Sequence, residues 1–472
     1  MASSGKNGGR RDAGRRSRGR FMTAATLHVA IVGTGPAGFY TAEALAADPA
    51  VRIDMIDRLP TPYGLVRGGV APDHQSIKAV TRRYEKTAET ENVRFIGNLT
   101  VGRDIATDEL LALYDAVVLA TGAPEDRPLG IKGADLPGVI GSAAFVGWYN
   151  CHPDFAGLDI DLDISSVAVI GNGNVALDVA RVLAKTADEM AQSDIAPYAA
   201  ERIGRAPVRD IYVFGRRGPL QAHFSSKELA EMGTLARAVP LVDAAQLPSE
   251  AEEEKLEPAR RKIISILRRF AHNRPEDKPV RIHFEFFSRP AEVLGAGCVC
   301  GLRLERTRLE DERAVGTGVY FEVPCGLVIP CIGYRTSPIP GVPYDERAGR
   351  FVNAEGKVRD RLYAVGWARR GPTGTIGTNK PDGADIAARI RREVAPAGRA
   401  GGAGLDRLIA ERGIEVVDFA GWKRIDETEC RAAPAPHPRL KFAHIADMLD
   451  VARGENRAAP RGAFSPQQAE DR

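Results

Sequence analysis

A chain of 472 residues is too long for one simple core, so two or three domains are the starting expectation. It is 44% hydrophobic and 27% charged, and no apolar run approaches the ~20 residues that span a bilayer, so no transmembrane segment is expected. The net charge is only +3, and seven basic residues with a single acid, Asp12, fall within positions 1–20, leaving about −3 for the remainder and arguing against nucleic-acid binding.

In chain order, residues 1–21 are rich in Arg, Gly and Ser, carry no apolar period and read as a disordered basic tail. Either an Arg-rich targeting presequence or a dispensable tail fits this composition, as does an over-extended start with the first true residue at Met22. Leu27–Val32 then reads as a buried strand, Gly33-Thr34-Gly35-Pro36-Ala37-Gly38 as a glycine turn, 38–47 as a helix and Val51–Ile56 as a second strand ending at Asp57. This is the G-x-G-x-x-G setting of a dinucleotide turn. Gly33 turns the chain, Gly35 lets backbone approach a pyrophosphate and Gly38 packs helix on strand. Asp57 follows at the spacing of the acid that hydrogen-bonds ribose hydroxyls.

Leu59–His74 is too rich in Gly and Pro for a regular element and reads as a ligand-wrapping loop, followed by a helix over 75–90. Tyr114–Ala120 is a buried strand, and Pro124, Pro128 and Pro137 mark a boundary after it. A second turn, Gly171-Asn172-Gly173-Asn174-Val175-Ala176, follows strand 167–170 and opens a helix over 174–187. The next strand, Asp210–Phe214, runs into Gly215-Arg216-Arg217-Gly218, with an insertion expected within 188–207. Where an NAD site carries an acid this chain carries two arginines, whose guanidinium groups match a phosphate dianion. The second turn therefore selects the 2′-phosphate of NADP over NAD.

Residues 256–272 form a helix with Ile263, Leu267 and Phe270 on one face and Arg260, Arg261, Lys262, Arg268 and Arg269 on the others. Strands are expected at 280–287, 302–309, 326–331 and 362–365. A second glycine-dense loop, 366–379, opens a helix over 382–393 and offers backbone amides to a phosphate or a polar ring edge. Beyond 401 the pattern weakens, with a helix near 440–452. The six cysteines, at 151, 298, 300, 325, 331 and 430, include no C-x-x-C, and the Cys298/Cys300 pair lacks partners at ligand spacing. Free thiols in a reducing compartment are expected, and no metal site.

Two dinucleotide turns, one followed by an acid and one by paired arginines, point to FAD held in the first and NADP(H) visiting the second: a flavin oxidoreductase. Against this background Leu59–His74 (LPTPYGLVRGGVAPDH), Gly171–Asp178 (GNGNVALD), Gly215–Gln221 (GRRGPLQ) and Gly366–Lys380 (GWARRGPTGTIGTNK) make the chain, from Leu27 to the C-terminal region, resemble the adrenodoxin-reductase type of ferredoxin–NADP reductase. The resemblance implies an α/β fold of two Rossmann-like domains, the NADP domain (125–325) inserted into a discontinuous FAD domain (22–124 and 326–455), with a loose tail at 456–472. It implies FAD contacts from Ala37, Asp57, Leu65, Trp367, Gly374, Thr375 and Ile376, and NADP contacts from Asn172, Gly173, Asn174, Val175, Arg216, Arg217, Glu228 and Arg127. Gly374 also matches an NADP position. The family commonly has glutamate where this chain has Asp57.

His74 and Glu231 match positions linked to proton handling. The implied partner is an acidic ferredoxin docking near Arg260, Arg261 and Arg268, with the protein in the bacterial cytoplasm, or in the mitochondrial matrix of a eukaryote. The alternative is the NADPH-oxidising flavoprotein subunit of a larger oxidoreductase. Such subunits usually carry cysteine clusters, which are absent here.

Overall fold

The computed structural model describes residues 26–455, so the tails read at 1–21 and 456–472 lie outside the described residues. Two parallel-type sheets organise the chain. The first is six-stranded, in the order Lys357–Arg359, Leu362–Ala364, Ala116–Leu119, Leu27–Val32, Val51–Ile56, Val93–Ile96. Every neighbouring pair is parallel except the two strands at 357–364. The second is five-stranded and parallel throughout: Leu327–Pro330, Ser166–Ile170, Asp210–Phe214, Val280–Glu285, Ala238–Val242. The central strands are nearly unbroken apolar runs, as sheets covered on both faces require; Val29, Ile31, Val167 and Val169 are wholly buried.

Leu362–Ala364 pairs with Ala116–Leu119 across more than 240 residues, so the first sheet is closed by the far end of the chain. The chain leaves and returns along a two-stranded ribbon, Glu125–Asp126 antiparallel to Tyr334–Arg335. This corrects the return point read at 326. Leu327–Pro330 pairs with Ser166–Ile170 and belongs to the second sheet, and the chain crosses back only afterwards. An antiparallel sheet of Ser288–Leu294, Gly301–Glu310 and Arg313–Pro324 is attached to the second unit.

Several elements differ from the sequence reading. The helix expected at 75–90 is two, Gln75–Lys78 and Thr81–Ala88. At the break Lys78 turns inward and donates to Asp194 (2.6 Å) and Asn150 (3.2 Å). The second-turn helix stops at Ala184, because Thr186 caps a new short helix through Glu189. Besides the helix expected near 440–452, which is Ile445–Ala452, the weakly patterned C-terminal stretch contains Gly401–Glu411 and Phe419–Ala432, the latter capped by Asp418 and burying Trp422 and Ile425 in the first core.

Candidate active site

The first turn is built by three close approaches. Gly33 N donates to Ile56 O (2.7 Å) and Ala120 N to Val32 O (2.7 Å), which fixes the turn between adjacent strand ends. Gly33 has φ +104°, and a Cβ there would lie 2.4 Å from Ala120 O. A Cβ on Gly38 would lie 2.1 Å from Gly33 O, so the helix Pro36–Ala46 sits directly on the turn. Gly35 is different: a side chain there would meet no atom within 4 Å, and the same is true at Gly122. Open space thus faces the start of the helix, where unbonded amides favour a phosphate.

Asp57 holds this turn in place. Its Oδ2 accepts from Thr34 N (2.9 Å) and Thr34 Oγ1 (2.5 Å), and its Oδ1 from Leu59 N (3.0 Å). A carboxylate has about four acceptor sites, so one remains for a ribose hydroxyl after these three bonds.

Around the same space, Leu65 opens the short helix Leu65–Gly68, and its cap Gly64 is so near that a Cβ there would lie 3.0 Å from Gly35 Cα. Gly366 approaches Ala37 in the same way, at 2.5 Å from the Ala37 Cβ. Trp367 donates from Nε1 to Thr373 O (3.0 Å) and stacks on Tyr334 with centroids 6.2 Å apart. Gly374 has φ +84°, Thr375 N donates to Thr378 Oγ1 (2.6 Å), and Ile376 begins a single turn leading into helix Asn379–Glu393. Asp382, which the sequence reading did not single out, organises this loop by accepting from Gly366 N (2.6 Å), Arg369 (2.5 Å) and Arg370 (2.6 Å). Helix 379–393 packs onto helix 36–46 at Gly383, where a Cβ would lie 2.8 Å from Thr41 N. The starts of both helices and the glycines at 33–38, 64 and 366 therefore lie together, leaving no side chain over Gly35.

The second turn repeats the first. Gly171 N donates to Phe214 O (2.8 Å), Cys331 N to Ile170 O (2.7 Å), and a Cβ on Gly171 would lie 2.3 Å from Cys331 O. Gly173 faces open space as Gly35 does, and Val175 packs on the underlying core. The residue that occupies the place of Asp57, however, is Gly215; the arginines come one and two positions later. Arg216 is exposed, while Arg217 pairs with His223 (3.1 Å), whose pKa is lowered by burial and by that guanidinium. The loop 218–225 lies against the turn: His223 N donates to Asn172 O (2.7 Å) and Ser225 N to Asn174 Oδ1 (2.8 Å). Glu228 accepts from Ser225 Oγ (2.6 Å) and so joins the same frame. Arg127 lies apart, on the crossover ribbon, donating to Ala348 O (2.6 Å) and Arg347 O (3.3 Å) beside Gly333.

Between the turns, the fold brings His74 and Glu231 together from 157 positions apart, with His74 Nε2 3.1 Å from Glu231 Oε2. His74 Nδ1 lies 3.9 Å from Asp178. Arg181, fully buried, binds Asp73 through Nε and Nη2 (2.8 and 3.0 Å) and Asp178 at 2.7 Å, and comes within 3.9 Å of Glu231. Lys185 adds a second cation to Asp73 at 2.8 Å. Burial opposes the Asp73 charge, but Arg181 and Lys185 outweigh it and hold the carboxyl well below its usual range. Burial dominates at Asp178 and raises its pKa, against Arg181 and His74. The sequence reading did not assign Asp73, Asp178 and Arg181; the available signal was an arginine within the apolar helix Asn174–Ala184.

The basic helix is Pro258–Phe270. Arg260 donates to Ala222 O and Arg261 to Glu254 O (2.6 Å) and Leu256 O (3.1 Å), and neither forms a salt bridge among the described residues. Arg268 instead pairs with Glu253 (3.0 Å).

Residues 27–212 match the pyridine nucleotide-disulphide oxidoreductase family, although the chain has no C-x-x-C. NADPH-ferredoxin reductase FprA of Mycobacterium leprae is 42% identical over 450 residues, 90% of this chain and 98% of that protein. Mitochondrial NADPH:adrenodoxin oxidoreductase of Arabidopsis thaliana is 39% identical over 90% of this chain and 95% of its own. Among solved structures, FprA of Mycobacterium tuberculosis in complex with NADPH superposes with a TM-score of 0.86 at 38% identity, covering 91% of this chain and 100% of that one. With both nucleotide turns and the residues between them in place, the chain belongs to the NADPH–ferredoxin/adrenodoxin reductase family.

Proposed function

We propose that this chain is a ferredoxin–NADP reductase that moves electrons from NADPH, by way of bound FAD, to a ferredoxin-type iron–sulfur protein. One observation carries the reading: two glycine turns in one chain anchored by the same hydrogen bond, the first closed by an acid and the second by a glycine followed by two arginines. FAD fits the first turn. There Asp57, Ala37, Leu65, Trp367 and 374–376 surround it, and when bound it supplies hydride acceptance coupled to one-electron release. NADP(H) fits the second, with Arg216 and Arg217 on its 2′-phosphate and Asn172–Val175 and Glu228 as further contacts.

The residues between the turns align rather than attack. Rate comes from holding nicotinamide against flavin, and no covalent nucleophile is needed. His74 and Glu231 share a hydrogen bond at this junction and are placed to hold a proton there. We assign Arg127, on the crossover ribbon, to the NADP contacts.

The iron–sulfur partner is taken to be acidic, docking on the Pro258–Phe270 helix through Arg260 and Arg261. Arg268, paired with Glu253, contributes less than the sequence reading gave it. No described helix is long and apolar enough to cross a membrane. The compartment proposed is the cytoplasm of a bacterium, or the mitochondrial matrix of a eukaryote.

The test is direct. The purified yellow protein is mixed with NADPH, a ferredoxin and cytochrome c, and cytochrome reduction is followed with and without ferredoxin. Strong ferredoxin dependence is expected; turnover indifferent to ferredoxin would favour the NADPH-oxidising subunit of a larger enzyme.

A further inference from the structure

The two turns can be compared through the backbone hydrogen bond they share, and the comparison identifies a specificity device that the arginine pair alone does not explain. Gly33 N to Ile56 O and Gly171 N to Phe214 O are the same bond in the two units. It makes Asp57 equivalent to Gly215, the residues that follow those strands, and Thr34 equivalent to Asn172, the residues that follow those glycines.

In the first unit the pair is complementary. Thr34 offers two donors, N and Oγ1, and the Asp57 carboxylate takes both. In the second unit the same place is filled from the other side. The Asn172 carboxamide lies across Gly215 so closely that a Cβ on residue 215 would fall 1.7 Å from Nδ2 and 2.5 Å from Cγ. Such distances exclude any side chain at 215 unless Asn172 swings away. Its backbone is tied down, with Asn172 O accepting from His223 N at 2.7 Å. The Oδ1 of Asn172 is buried and has no hydrogen-bond partner among the described residues, so internal bonding does not account for its position.

We infer that Asn172 and Gly215 form a steric lock that sets dinucleotide specificity at the second turn. The Asn172 carboxamide occupies the space an NAD-type acid would need, and it presents an N–H donor where that acid would present negative charge. A 2′-phosphate meets a donor and two guanidinium groups there. A ribose 2′-hydroxyl meets no carboxylate acceptor. The lock also means that an acid cannot be introduced at 215 without displacing Asn172. This inference rests on the proposed NADP reading of the second turn.

The test is titration calorimetry of NADP+ and NAD+ on the full-length, FAD-loaded protein, comparing wild type with Gly215→Asp, Asn172→Thr/Gly215→Asp and the milder Gly215→Ala. Flavin absorbance and melting temperature check that each variant is folded. Gly215→Asp is expected to weaken NADP+ by ~30-fold or more, from like charge and lost donors, without gaining NAD+. The double variant reproduces the Thr34–Asp57 pair, and its NAD+ affinity should exceed that of Gly215→Asp by ~10-fold. Gly215→Ala, which adds only the colliding methyl, should weaken NADP+ by ~5–10-fold.

The lock is overturned if Gly215→Asp alone binds NAD+ as tightly as the double variant, or if Gly215→Ala binds NADP+ like wild type. A wild type that binds NADP+ no better than NAD+ would instead remove the underlying reading of the second turn.

Discussion

The first and second glycine turns are anchored by the same backbone hydrogen bond, and two of the positions at which they differ face each other. At the first, Thr34 and Asp57 bond to each other and close the turn with a negative charge. At the second, Asn172 lies over Gly215 and the charge that follows is positive. The hydrogen bonds of the scaffold, Gly33 to Ile56 and Gly171 to Phe214, are indifferent to this difference. Shared β–turn–α geometry supplies the helix end that receives a pyrophosphate in both. On the reading proposed above, what stands at the end of the neighbouring strand decides which dinucleotide enters.

The comparison breaks most severely if the arginines are removed. Arg216→Ala/Arg217→Ala should raise the Michaelis constant for NADPH by on the order of 100-fold, about 3 kcal/mol for two charge-assisted contacts, while leaving that for NADH within about 3-fold. Steady-state kinetics with both nucleotides reads this, and equal losses would mean the pair does not read the 2′-phosphate.

At the first turn the corresponding cut is Asp57→Ala, which strands Thr34 N, Thr34 Oγ1 and Leu59 N. A loss of about 2–3 kcal/mol in stability is expected, together with flavin release on gel filtration. Retention of full yellow absorbance and an unchanged Tm would show that Asp57 neither closes the turn nor secures the flavin.

The segment joining the units has its own signature. Burial lowers the His152 pKa from 6.5 to about 4, helped by Arg58 and Arg67 and opposed by Asp154. Its Nδ1 accepts from Asp154 N (3.2 Å), which requires the neutral ring. Below pH 6.5 the unfolded chain binds the proton more readily than the folded one. His152 therefore costs no stability above that pH and up to about 2–3 kcal/mol as pH falls toward 4. Denaturant melts at pH 7 and pH 4.5 should show this loss in wild type and a smaller one in His152→Asn.

The smallest effect belongs to the docking face. Arg261→Glu should slow ferredoxin reduction about 3–10-fold at low salt and less at high salt, sparing reduction of a small dye. Arg268→Glu, whose partner is Glu253, should do less. If both rates fell together in Arg261→Glu, the helix would not be the docking site.

The first unit was legible in the sequence because its signals are local: an apolar strand, three spaced glycines and an acid after the next strand. The second turn was legible to the level of its charge, but not to the residue. The place equivalent to Asp57 proved to be Gly215, and only strand register shows that. His74 and Glu231 could be paired only through the family resemblance, since no local pattern joins positions 157 apart. Arg181 was invisible for the same reason, its role lying in an aspartate 108 positions earlier. The helices Gly401–Glu411 and Phe419–Ala432 escaped notice because the glycines at 401, 402 and 404 and the charged run from Lys423 to Arg431 mask the stripe that buries Trp422 and Ile425.

The ribbon of Glu125–Asp126 and Tyr334–Arg335 has a consequence for how this protein could have been assembled and can be rebuilt. Its two strands run side by side in opposite directions, so the outgoing and incoming chains pass through one doorway. Everything between them is a cassette whose ends already touch. Exchanging that cassette for one with another nucleotide preference, or closing its ends to express it alone, requires no long linker and leaves the six-stranded sheet uncut. Any replacement must then rebuild the buried joints to the rest of the chain, among them Arg181–Asp73, Lys78–Asp194 and Lys441–Asp194.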